Sequence, residues 1–128
     1  MRKALMLTPA AVAAVLVLAA GGSAFAHHAF NMYLNDKYTK LTGTVKTFKW
    51  ANPHSMIDFV VVDDKGGMLT WTAECSPVNM MRLKGWTSTS LKTGDKVDFV
   101  LHPNRNGVKY GLLVSATLAD GSKLTDKD

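Results

Sequence analysis

The stretch Cys75-Ser76-Pro77-Val78-Asn79-Met80-Met81-Arg82-Leu83-Lys84-Gly85-Trp86 decides how the chain is read. Serine followed by proline is a helix-start signal, with Ser76 as N-cap and Pro77 at the first helical position. Val78, Met80, Met81 and Leu83 supply the apolar positions, and Gly85 is the expected stop. Trp86 then reads as a packing residue. The spacing therefore predicts one short helix.

Strand-like segments lie on both sides of it. Upstream, Leu41 to Trp50 is rich in β-branched and aromatic residues. Its apolar parity is odd at Leu41 and Val45 and even at Phe48 and Trp50, so a bulge or sharp bend is expected inside it. Gly43 would ease the coiling. Trp50-Ala51-Asn52-Pro53-His54 is a turn that holds a histidine at the mouth of the second strand, Met56 to Val62. The loop Asp63-Asp64-Lys65-Gly66-Gly67 leads into the third strand, Met68 to Cys75. There Leu69, Trp71, Ala73 and Cys75 face inward and Thr70, Thr72 and Glu74 outward. Downstream, Lys96 to His102 and Lys109 to Leu118 are the fourth and fifth strands. The order β-β-β-α-β-β is that of an OB-like five-stranded barrel, an all-β class with one short helix. An SH3-like barrel is the competitor, but its short helical turn precedes the last strand.

The rest of the chain is read around that barrel, which spans residues 41–119. Residues 1–26 have the pattern of a cleaved signal peptide: the basic start Met1-Arg2-Lys3, an apolar run from Ala4 to Ala20, and small residues before Ala26. Periplasmic localisation follows, with no membrane insertion after cleavage. Cleavage after Ala24 is sterically allowed too. Residues 27–40 form an N-terminal arm and residues 120–128 a polar tail. Formal net charge is +5 for the whole chain, and without Arg2 and Lys3 the balance is 13 basic to 10 acidic residues. So mild and scattered an excess is no nucleic-acid footprint. Cys75 is the sole cysteine, so the domain carries no internal disulfide and relies on its apolar core.

The ordered set His27-His28-Ala29-Phe30, Leu41-Thr42-Gly43-Thr44-Val45, Asn52-Pro53-His54, Trp71 with Glu74, Ser76-Pro77, Gly85-Trp86, Leu91, Gly94-Asp95 and Asp120-Gly121 resembles a family of small exported bacterial proteins, domain of unknown function 6152. The likeness covers nearly the whole mature chain. It implies an exported single domain with no established activity. His102 and Cys75 fall outside the shared pattern.

Candidate chemistry gathers at histidines. Cleavage after Ala26 would expose His27, whose amine and imidazole can chelate one metal ion, and nitrogen-rich tetragonal sites favour Cu(II). His28 offers an alternative chelate, and His54 is the natural distant partner. Strand alternation places Glu74 at the same barrel end as His54. It places His102 at the opposite end, roughly 23 Å away for seven-residue strands. The metal candidates are thus His27, His28, His54 and Glu74, with copper as the ion. Each has a plainer alternative: a polar chain start for His27 and His28, a turn residue for His54, a strand surface carboxylate for Glu74. Cys75 reads as a small buried hydrophobe, and Met80 and Met81 as helix-packing residues. No nucleophile motif, phosphate loop or zinc-type spacing argues for an enzyme. The other functional class is a non-metal module for a periplasmic protein or small molecule, engaged through Phe30, Met32, Tyr33 and Leu34. A packed arm favours the metal reading, and a loose one favours partner capture.

Overall fold

A computed structural model describes residues 32–127. The elements are β1 (Thr39–Lys49), β2 (Met56–Val62), β3 (Met68–Glu74), α1 (Val78–Leu83), β4 (Lys96–Pro103), β5 (Tyr110–Leu118) and β6 (Lys123–Thr125). The first five strands close into a mixed barrel in the expected order, with the helix between β3 and β4. Among the described residues, no helix is long and apolar enough to cross a membrane.

β1 is long enough to serve two partners. Its first half pairs antiparallel with β4 (Thr39↔Leu101 to Thr44↔Lys96), and its second half with β2 (Thr44↔Val60 to Lys49↔Met56). The parity break appears as a bulge: Val45 opposes Phe59 and Thr47 opposes Asp58, which leaves Lys46 as the extra residue. Gly43 has a reason beyond coiling. A Cβ there would lie 2.5 Å from Phe59 Cδ2, so the glycine makes room for a ring that stacks on Phe99 at 4.0 Å. Closure comes from a parallel pairing of β3 with β5, Thr72↔Tyr110 to Glu74↔Leu112. Ile57, Phe59, Ala73, Cys75, Val97, Phe99 and Leu101 fill the interior, as alternation predicts.

The helix plugs the barrel through Met81 and Trp86, both buried. It ends as expected at Gly85, at φ +88°. The Gly85 N–H bonds to the Arg82 carbonyl and the Trp86 N–H to the Met81 carbonyl, which is the Schellman arrangement. Its start differs from expectation. Pro77 occupies the N-cap position and no side chain of the helix itself caps it. Ser76 is buried instead, and its N–H donates to Asp126 Oδ2 at 2.8 Å. The Val78 N–H finds its acceptor in Asn52 Oδ1 at 3.0 Å, so the loop before β2 satisfies the helix N-terminus from outside.

The polar tail is structured. β6 pairs antiparallel with β5, and the Asp126 N–H bonds to the carbonyl of Val114, the extra residue at a second bulge. Asp126 is 1% exposed, Lys84 donates to its backbone carbonyl, and the Trp86 indole donates to Thr125 O at 2.8 Å. The tail thus locks helix, β3 and β5 together. Asp126→Ala would orphan the Ser76 N–H and should lower unfolding stability by about 1–3 kcal/mol. A lower urea midpoint with unchanged slope is the expected readout, and an unmoved midpoint would contradict it.

Candidate functional site

Because β3 pairs with β2 on one side and β5 on the other, residues in register form a row across the outside of the barrel. Lys49↔Met56↔Glu74↔Leu112↔His102 is one such row, and Thr47↔Asp58↔Thr72↔Tyr110 lies beside it. This is the strand 2–3 face that OB barrels commonly use for ligands, bordered by the β1–β2 and β4–β5 loops.

Glu74 is the centre of that face. Its side chain is 16% exposed, and Oε2 accepts from the Tyr33 hydroxyl at 2.5 Å and the Tyr110 hydroxyl at 3.0 Å. The two phenol rings stack, with centroids 6.3 Å apart. Thr72, one row over, donates instead to Asp58 at 2.6 Å. Tyr33 is 3% exposed and comes from the arm. A bridge between Tyr33 and Asn104 and a hydrogen bond from the Leu34 N–H to the Pro103 carbonyl (2.9 Å) fasten that segment to the barrel.

His54 stands at the rim, its side chain 45% exposed, with Nδ1 3.1 Å from the Cys75 carbonyl and 3.6 Å from Glu74 Oε1. A carbonyl only accepts, so Nδ1 carries the proton in this contact, and in the neutral ring Nε2 keeps its lone pair. Buried Ser55 fixes the turn behind it. Its hydroxyl accepts from the Ala51 N–H at 3.2 Å and donates to the Ala51 carbonyl at 3.3 Å. The turn includes a cis bond between Asn52 and Pro53.

The structure brings His54 and Glu74 together, as strand order predicts. His27 and His28 lie outside the described residues. Among the described residues, no three His, Cys, Asp or Glu side chains converge as a metal site. His102 does not sit at the far end of the barrel. Alternation of strand direction ignores the parallel β3–β5 seam, and through Leu112 the seam puts His102 two ladder steps, about 10 Å, from Glu74. The arm covers it there: His102 is 3% exposed, its Nδ1 bonds to the Lys37 carbonyl at 2.8 Å, and Tyr38 lies against its ring. Sequence reasoning missed Tyr33, Tyr110 and Met56 as members of the site. An OB barrel joins its third and fifth strands, so the start of β5 was the place to look for Tyr110.

The chain matches the family of unknown function DUF6152 over residues 13–115. It belongs to this family. No curated protein and no solved structure matches it.

The electrostatics of the face are set by one carboxylate under two phenols. Both hydroxyls are pushed well above the usual tyrosine range. Burial is the main cause in each; for Tyr33 the hydrogen bond to Glu74 adds most after it, and for Tyr110 the negative charge of Glu74. A phenol that holds its proton more tightly when folded contributes stability that is intact below about pH 10 and is lost as the pH rises above it. Stability should therefore fall above about pH 10, and Tyr33→Phe should make that fall shallower in urea unfolding from neutral to alkaline pH. Equal slopes in both proteins would contradict this electrostatic picture.

Proposed function

We propose that this protein is an exported, periplasmic binding module for a transition-metal ion, with copper as the ion. His27 of the mature chain and His54 are the principal ligands, and His28 or Glu74 completes the set. The observation that carries this reading is the state of His54. Its Nδ1–H is tied to the Cys75 carbonyl beside a hydrogen-bonded carboxylate. Protein imidazole ligands are commonly oriented in this way, with one nitrogen held by a backbone carbonyl and the other available to the ion. Glu74 Oε1 is not engaged by either phenol, since both hydroxyls donate to Oε2.

The arm supports the same reading. His27 lies six positions before Tyr33 in the sequence, a span of at most roughly 20 Å of chain, and Tyr33 is fastened directly to Glu74. Capture of a protein partner by the arm would call for a loose Tyr33 and Leu34, and both are bonded to the barrel. Imidazole, amine and carboxylate together make a nitrogen-rich, borderline donor set that suits Cu(II). When bound, the ion would add a Lewis-acidic centre at the rim, and the chain's part is to hold and orient it.

The test is a Cu(II) titration of the mature protein with its natural N-terminus, read by electron paramagnetic resonance. A stoichiometric nitrogen-ligated signal is expected. One extra residue ahead of His27 should abolish it, and His54→Ala should weaken binding by about 10–100-fold, the range seen for disturbed metal sites. Weak signals of equal size in all three proteins would overturn the proposal.

A further inference from the structure

Met56 is the member of the face for which neither the barrel core nor the N-terminal chelate gives a use. It opposes Glu74 in the β2–β3 ladder, on the outer face, and is only half-buried. Its Sδ lies 3.9 Å from the Tyr110 hydroxyl, and the same hydroxyl is 3.0 Å from Glu74 Oε2. A phenol has one proton to give. The carboxylate is nearer and the stronger acceptor, so the proton goes to Glu74 and the thioether keeps its lone pairs. The Tyr110 hydroxyl thus lies between the thioether and the carboxylate, and His54 stands beside the other oxygen of that carboxylate.

Resting on the copper reading above, we infer that Met56 Sδ is a ligand of this site and that the site holds Cu(I) as well as Cu(II). The donors divide by softness. Amine, imidazole and carboxylate serve the divalent ion, while a thioether with one or more imidazoles serves the monovalent ion, which does not require a carboxylate. The site can then take the ion from either a reducing or an oxidising supply without rearrangement of the barrel, because Met56 opens β2 only two residues after His54, whose ring is tied to the Cys75 carbonyl at the end of β3. Of the other sulfur groups weighed from the sequence, Cys75 is buried in the core with its thiol pushed up by burial, Met81 is buried against the core, and Met80 is exposed on the helix.

Met56→Leu conserves volume and should leave the fold intact. Cu(I) affinity would be measured anaerobically, by competition with a bicinchoninate chelator in the presence of ascorbate, and Cu(II) affinity by titration. The inference expects a loss of about tenfold or more for Cu(I) with Cu(II) affinity and resonance spectrum unchanged. X-ray absorption of the wild-type Cu(I) form should show a sulfur scatterer that Met56→Leu lacks. Unchanged Cu(I) affinity, an equal loss for both ions, or no sulfur scatterer in the wild type would each overturn the role of Met56 while leaving the Cu(II) site standing. Failure of the wild-type protein to bind either ion would sink the copper reading and this inference with it.

Discussion

Everything on the candidate face depends on one short parallel seam, the pairing of β3 with β5 over Thr72↔Tyr110, Ala73↔Gly111 and Glu74↔Leu112. Parallel strands cannot be joined by a tight turn, so this seam forms only after the helix and β4 have carried the chain around the barrel. Three pairs suffice because both strands are anchored elsewhere, β3 along all of β2 and β5 along β4. Gly111 lets β5 lie close against β4 on its other side. A Cβ there would lie 2.9 Å from both the His102 carbonyl and Leu101 Cβ. The β3–β5 register itself brings Tyr110 beside Glu74.

Glu74 then turns a structural seam into a hub. Its two phenol donors come from segments 77 residues apart in sequence, Tyr33 before the barrel and Tyr110 after most of it. A carboxylate satisfied in this way strengthens with burial, whereas the same group stripped of its donors would be costly to cover. That asymmetry fastens the arm. The opposite side of the β1–β2 loop is held by a different device, the Asn52 side chain on the helix N-terminus, and the tail closes the assembly through Asp126. His54 sits between these anchors, so its position is set by the barrel as a whole rather than by its own turn.

Much of this was legible in the residues. Period-two alternation placed the core of β2, β3 and β4, and the parity break in β1 announced the bulge that appears at Lys46. Gly85 marked the helix end because a left-handed residue is needed there. What escaped has a common cause. Ser76 looks like a local cap, but a buried acceptor fifty residues away claims its N–H. His102 looks distant from Glu74 when strands are laid out flat and is near when the sheet closes. Tyr33 and the short β6 carry little periodic signal; their places come from tertiary partners, which overrule local pattern. Local preference is visible in a sequence, and the register of a long-range seam is not.

The central proposal is that one metal ion is bound at the rim formed by His54 and Glu74. Paramagnetic broadening of amide and side-chain NMR signals by substoichiometric Cu(II) tests it most directly. Selective loss of signals from His54, Met56, Glu74, Tyr33 and Tyr110, with Thr42, Asp98 and Asp120 left sharp, is the result the account predicts. Broadening that spares His54 and Glu74, or that spreads evenly over the surface, would contradict it.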